Sequence, residues 1–503
     1  MMKKILALLS IVTISFSCNE EFLEEFPTSY TTPEKLGEAL EINPNVGSSG
    51  LLGIYESMFA VGTGYENDFP SGRNDYDFGH RGFDVFGDML SGDLVLGGKN
   101  YGWLSDLSEL TTTEDYTTNN NYTMWRYYYY IILLANSTID AFGGSDANPE
   151  SAEAQQGLGQ ALGARAYGYF YLLNYFANDF DSGDLVLPIY TNSTSENQPK
   201  SSVGEVIDLI ISDLTRSKTL LTGFSRSAPN IIDEYVASTY LAYAYAMKGD
   251  NANASTAAKF VIDNSGKTVQ SIDQIVSGMN DVNALSNNVL WGTDLTVDNG
   301  LGLRSWWGQC DIYSYSYAWA GDPKVVDISL FDQIADDDIR KSWFLTADYP
   351  AYYATWYPLA PHNKFYHEGR RLGGQRNVTA DYIYNRIEEM YLLHAEAEAA
   401  LGNDASARAS LKAILDHRIP DSSYVDALSG AALQDEIYLQ MRIELWGEGK
   451  SYLAMKRLRK TITRGANWLD FAGQSFDYND ERLTFEIPEI EIRNNPNISD
   501  QNP

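Results

Sequence analysis

The chain is poor in cysteine, histidine and positive charge, and each shortage removes a class of function. Its 503 residues contain two cysteines, Cys18 and Cys310, so no dense disulfide framework organises the fold. The five histidines, His80, His362, His367, His394 and His417, fall at no HExxH or comparable ligand spacing, and no Gly-x-Ser-x-Gly nucleophile turn occurs. No metal, cofactor or catalytic residue is assigned. Lys and Arg number 36 against 68 Asp and Glu, a formal net charge of −32. A field of that sign opposes nucleic acid and long anionic polysaccharides and favours neutral ligands. Long apolar runs are scarce too. Beyond residue 18 nothing approaches the about 18 apolar residues of a membrane helix, Ile131 to Ala135 being the nearest.

The first 18 residues are an exception to that scarcity. Lys3 and Lys4 form a positive n-region, Ile5 to Ile14 an apolar stretch of signal-peptide length, and Ser15 to Ser17 run into Cys18. Residues 1–17 are expected to be a lipoprotein signal peptide, with Cys18 as the lipidated residue. The alternative is an ordinary secretory signal containing a cysteine, with Cys18 then available for a disulfide to Cys310. Residues 18–35 carry Asn19-Glu20-Glu21-Phe22-Leu23-Glu24-Glu25, an acidic tether that anionic lipid repels. The remainder, 36–503, is expected to form the folded body: the whole chain is 44% hydrophobic and 13% aromatic, enough core for one large or two coupled domains. Tyr, at 35, far exceeds Phe at 20, and its ring with a hydrogen-bonding tip suits polar ligands and partners.

An internal repeat sets the fold class. Tyr240 to Ala246, rich in Ala, leads through Gly249-Asp250 to Ala252, Ala254, Ala257, Val261 and Ile262. Ala395, Ala397 and Ala399 lead likewise through Gly402-Asn403 to Ala405, Ala407, Ser410, Ile414 and Leu415. Small residues let two helices approach, a glycine ends the first in a left-handed cap, and the second begins at once. This is a tetratricopeptide-like helical hairpin. Further helices are predicted over Asn121 to Ile139, Ala152 to Phe176, Ser202 to Leu221 and Leu433 to Arg459. Trp125 to Tyr130 and Ala161 to Leu173 read as buried on most sides. Two stretches, about 62–116 and 278–381, follow no helical period and are rich in Gly, Asn, Asp and aromatics. They read as long irregular, partly β insertions carrying the ligand contacts.

Within the second insertion, Tyr313, Tyr315, Tyr317 and Trp319 alternate with small residues, so an extended strand would present all four on one face. With Trp306 and Trp307 just before, they form a candidate stacking ladder for pyranose rings; the alternative is a strand packing its aromatics on the helices. In the first insertion, Gly97-Gly98 permits a tight turn that leaves Lys99, Asn100 and Trp103 as candidate ligand contacts. Here a plain glycine-rich turn is the alternative. Carboxylate pairs for glycoside hydrolysis can be drawn anywhere among 68 acids, and Glu388-Glu389 and Glu396 read as structural ion pairs. His394 reads as helix packing, Asp336-Asp337-Asp338 as a solvated turn, and Cys310 as a free, buried thiol.

The chain resembles the SusD-like (SusD/RagB) outer-membrane nutrient-binding lipoproteins of the Bacteroidetes. The likeness is carried by Phe22 to Pro27, Leu52 to Tyr55, Gly163 to Phe170, Leu187-Pro188, Arg386 to Ala397, Arg442 to Gly449, and a tail of Ile487-Pro488-Glu489, Asn495 to Ile498 and Gln501-Asn502-Pro503. Departures occur at Gln440-Met441 and Tyr452 to Ala454. The resemblance implies four tetratricopeptide-like helix pairs, a mainly α scaffold supporting an irregular binding region. It further implies attachment to the cell surface by a lipid on Cys18 and a SusC-like TonB-dependent transporter as partner. The stretch from Asp93 to Trp103 is similar to a family loop that presents a Trp to ligand. The expected function is capture of an oligosaccharide or polysaccharide for uptake, without catalysis. Peptide capture, a surface glycoside hydrolase and a purely structural lid are the alternatives.

Overall fold

The computed structural model describes residues 47–63, 76–181 and 183–502; the signal peptide, Cys18 and the tether through residue 35 lie outside them. A series of helices packs one on the next: Asn119–Ala141, Ala152–Phe176, Val203–Leu220, Glu234–Met247, Asn251–Asn264, Ile387–Ala400 and Asp404–Leu415. Local chemistry sets their ends. Ser151 accepts from the amide of Ala154, and Ser202 with Glu205 forms a capping box. The two repeat units turn at Gly249 and Gly402, with φ 78° and 77°, the left-handed caps their spacing predicts. The helix Ala152–Phe176 coincides with its expected range, and every residue from Gly157 to Phe176 is buried. Close approach explains its small residues: a Cβ at Gly168 would lie 2.7 Å from Ile132.

Two predicted features are corrected. The expected helix Leu433 to Arg459 is two, Gly430–Glu444 and Lys450–Arg457, because the chain turns sharply between them at Gly447 and Gly449 (φ 79° and 74°). The turn is seated against a helix, His80–Leu90, inside the supposedly irregular first insertion. Phe83, Phe86 and Leu90 have helical spacing there, but glycines and acids obscure it, and its polar side is buried as well. Asp88 accepts from the Gly449 amide, Asp84 pairs with Arg81, and Asp93 just beyond the helix pairs with Arg442 and accepts Trp446 Nε1–H at its carbonyl. Such a helix shows no solvent face to read.

The insertions are mounted on the scaffold by short antiparallel pairs. Val289–Thr293 pairs with Tyr382–Arg386 and closes the base of the second insertion. Leu94–Leu96 of the first insertion pairs with Lys324–Val326 of the second, Leu94 opposite Val326. A buried ion-pair network locks the same region to the helices. Glu444 is shared by Arg340, Arg386 and Arg418 at 2.8–3.1 Å, while Glu448 pairs with Arg386 and Lys364 at 2.8 and 2.6 Å. Glu388 pairs with Arg386 at 3.2 Å, a structural ion pair of the kind expected for it. Asp336 and Asp337 are exposed, but Asp338 is buried against Arg340, so only part of that acidic run is a solvated turn. His394 is buried and lies 2.8 Å from Ser410 Oγ across its hairpin, and Cys310 is a buried free thiol.

Burial lowers Lys364 to about 8 and raises Glu448, but Arg386 and then Lys364 outweigh that and hold Glu448 at about 2. Glu448 has two cations and Lys364 one carboxylate at ion-pair distance, so the carboxylate keeps the net gain. Since its folded value lies below the ordinary 4.5, this stabilisation is complete above pH 4.5 and lost as pH falls toward 2. Urea midpoints measured across that window should fall steeply for the native chain. Glu448→Gln should flatten the fall and cost about 3 to 5 kcal/mol at neutral pH, because Arg386 and Lys364 lose their buried partner.

Candidate functional site

The pairing of Leu94–Leu96 with Lys324–Val326 delivers two distant loops to one place. Past Leu96 the amide of Gly97 donates to the carbonyl of Pro323 at 2.8 Å. A Cβ at Gly98 would meet the Gly321 carbonyl at 2.6 Å, so this approach demands glycine. Asp322 then binds the first loop from below. Its buried carboxylate accepts four successive backbone amides: Asn100 at 2.5 Å and Tyr101 at 2.9 Å on Oδ1, Gly102 at 2.9 Å and Trp103 at 3.2 Å on Oδ2. Consecutive amides converging on an anion form a concave nest that sets the loop's shape. Asn100 Nδ2 adds a bond to the Ala320 carbonyl at 2.8 Å.

The rings above this joint come from both loops. Tyr317 lies 5.5 Å from Tyr101 and 5.3 Å from Trp103, whose ring stands 5.5 Å from Tyr76. Tyr315 and Trp319 form a second pair at 5.5 Å, with the Arg376 guanidinium 4.0 Å over Tyr315. Tyr101 is 62% exposed, Tyr315 39%, and Trp103, Tyr317 and Trp319 are half-buried. A short helix, Ala351–Trp356, carries exposed Tyr352 and Trp356, with Tyr352 6.5 Å from Tyr357, which joins the helix to the loop by donating to the Trp319 carbonyl at 2.9 Å. Beneath lies a separate apolar cluster including Val95, Ile312, Tyr313, Val325 and Trp468.

The expected strand ladder does not form. Residues 312–321 are turns, with a single bridge from Ser314 to Gln375. The residues between the rings decide this: Asp311 accepts from the Tyr313 amide and the Ser314 hydroxyl, Ser316 Oγ donates to the Asp311 carbonyl, and the Trp319 amide donates to Ser316 Oγ. Short polar side chains thus replace ladder bonds with local turns. The four rings consequently part company. Tyr313 is buried, its hydroxyl 2.6 Å from His362 Nδ1; burial and then Arg370 lower His362 to about 4, and because Arg370 donates to Nε2 of the neutral ring at 3.0 Å, Nδ1–H is left to donate to the Tyr313 hydroxyl. Trp306 and Trp307 are core residues, each 1% exposed, in the helix Trp306–Cys310 and packed on each other at 5.2 Å; Trp306 lies 4.5 Å from Phe365. Neither offers a face to ligand. Lys99 is exposed and paired with Glu109 at the rim.

Of the rings singled out in the sequence, Trp103 and Tyr317 come together and Tyr315 and Trp319 form a separate pair; sequence reasoning did not mark Asp322, Arg376, Tyr101, Tyr352 and Trp356. The last two stood in a legible signal, aromatics at i and i+4 in a short segment opened by Pro350. Chemically, the surface offers ring faces with amide and guanidinium edges. The carboxylates beneath it face inward: Asp322 is occupied by amides, and burial raises Asp311 to about 7. Among the described residues no group of three or more His, Cys, Asp or Glu is arranged to hold a metal ion, and no helix is long and apolar enough to cross a membrane.

The family described as "Starch-binding associating with outer membrane" (SusD-like_3) matches residues 98–248, and the one described as "SusD family" (SusD_RagB) matches residues 341–503. A SusD-like protein, P2, of Formosa agariphila is 27% identical over 413 residues, covering 73% of this chain and 77% of that protein. Among solved structures, a SusD-like carbohydrate binding protein from Bacteroides vulgatus shares the fold with TM-score 0.73 at 23% identity, covering 90% of this chain and 96% of that one. A laminarin binding SusD-like protein shares it at 0.63 and 19%, covering 91% and 98%.

If Asp322 shapes the loop, Asp322→Ala leaves four amides without their acceptor. Urea denaturation should show a loss of about 3 kcal/mol, and hydrogen exchange at residues 100–103 should accelerate while the helical scaffold keeps its protection. Unchanged exchange there would refute the role.

Proposed function

The chain belongs to the SusD/RagB family, and from that premise we propose that it is a cell-surface lipoprotein that captures a neutral oligosaccharide or polysaccharide and delivers it to a TonB-dependent outer-membrane transporter. The observation that carries the reading is the aromatic surface of Tyr101, Trp103, Tyr315, Tyr317 and Trp319, held in place by Asp322. Pyranose rings have apolar faces and hydroxyl edges, which such rings and the neighbouring Asn100 and Arg376 complement. The strongly negative chain favours a neutral glycan over an acidic one. The printed names of the relatives, carbohydrate binding and laminarin binding, support the same ligand class.

Binding proceeds without turnover in this reading, because the two carboxylates beneath the rings, Asp311 and Asp322, are turned into the fold and engaged by backbone donors. Its scaffold is a tetratricopeptide-like array, and the protein is tethered by a lipid at Cys18 with the acidic stretch behind it holding the body off the membrane. Cys18→Ala should then release the protein into the soluble fraction; unchanged membrane retention would exclude the lipid anchor.

Affinity gels containing laminarin, starch or other neutral glycans, with a peptide panel in parallel, test the ligand class. Tyr101→Ala and Tyr317→Ala should weaken retention by about ten-fold with little change in melting temperature. Trp306→Ala should do the reverse, costing about 3 to 5 kcal/mol of stability while the folded fraction keeps its affinity. Full retention by both tyrosine variants would remove these rings from the site.

A further inference from the structure

We propose that a groove on the helical scaffold, along the helix Asn119–Ala141, is a second carbohydrate site that takes one or two neutral pyranose rings. The inference rests on the reading of the protein as a glycan binder but uses none of the loop residues. The groove encloses about 390 Å³ and opens to solvent, within the range of small-ligand sites, about 300 to 1,000 Å³. The sequence pattern assigns Trp125 to Tyr130 to the core, and Trp125, Tyr127 and Tyr128 are buried there. Tyr129 and Tyr130 are only half-buried and line the groove.

Its aromatic wall is built before any ligand arrives. Tyr129 lies 4.8 Å from Trp125 and 5.8 Å from Tyr190, the latter ring nearly perpendicular at 80°. Tyr129 donates to the Pro188 carbonyl at 2.9 Å and Asn136 Nδ2 to the Tyr190 carbonyl at 2.9 Å. The amide and hydroxyl of Ser193 both donate to Asp140 at 2.7 Å, so the loop carrying Tyr190 is fastened to the helix at two points. A wall held this way has little order left to lose on binding.

The rest of the lining matches a sugar rather than a lipid or an anion. Arg126 and Glu491 place one charge of each sign on the lining and Ser195 a hydroxyl, groups that match the edges of a polyhydroxylated ring. Leu133, 48% exposed, continues the wall at one end. Rings for the faces of a pyranose and polar groups for its hydroxyls are the combination seen at the loop surface, reached here from different elements.

Saturation-transfer NMR on the protein with laminaribiose, maltose, xylobiose and mannobiose tests the site. Transfer to at least one disaccharide should survive Tyr101→Ala/Tyr317→Ala and should fall by about ten-fold when Tyr130→Ala or Leu133→Lys is added, with melting temperature followed for each variant. Leu133 is exposed enough for its replacement to leave the fold intact. Transfer that vanishes with the loop variant alone, or that ignores both groove variants, overturns the site and leaves the loop surface as the glycan site. Groove variants that bind sugars normally but no longer co-purify with the transporter also overturn it, giving the groove to a protein partner. No transfer from any of the four sugars to the native chain would overturn both this site and the glycan reading.

Discussion

The placement of the two insertions depends on charges buried in the protein interior. Glu444 accepts three arginines, one from the start of the Ile387–Ala400 helix, one following the Asp404–Leu415 helix and one, Arg340, from the second insertion. Gln440 accepts a further bond from Arg340 at 2.5 Å, so a position that departs from the family's common pattern still serves the network. A buried charge costs several kcal/mol unless every partner is in place, so such a cluster tolerates one arrangement and rejects near misses. That selectivity is what an insertion of about a hundred residues with little regular structure needs. Lys364 extends the lock, donating to the carbonyls of Glu444 and Trp446 at 2.7 Å while pairing with Glu448. The first insertion is locked from the other side through Asp93 and Arg442.

Rigidity in the base allows economy at the surface. The loop carrying Trp103 has no regular structure, yet its backbone is specified by one carboxylate, and its rings find their neighbours only because the strand pair beneath sets the register. Preorganised rings would lose little freedom if the proposed sugar stacked on them, which is how a shallow, open surface can gain affinity. An open surface also suits a long polymer, since a chain lying across it need not thread a closed pocket. The groove on Asn119–Ala141 follows the same logic with helical rather than loop supports.

Much of this was legible in the chain. Alanine spacing and the two cap glycines give the hairpins because helix contacts are local and periodic, and the helix Ala152–Phe176 could be drawn to the residue. Gly97-Gly98 could be marked as a turn because paired glycines permit one, and the structure adds that Gly98 is needed where the Gly321 carbonyl approaches. The ladder misled because alternation specifies a strand only when backbone bonds are free to form, and here Asp311, Ser314 and Ser316 divert them into turns. Trp306 and Trp307 misled because adjacency in sequence does not reveal burial.

What the sequence determined by itself was therefore the periodic part: an α scaffold, its repeat, its acidic character and the two stretches that break period. Tertiary structure alone decided which aromatics face solvent, because that depends on contacts between residues more than two hundred positions apart. Asp322 is the clearest instance. In sequence it is one acid among 68, and only the pairing of Leu94–Leu96 with Lys324–Val326 brings it under four amides of another loop, where its charge acquires a task.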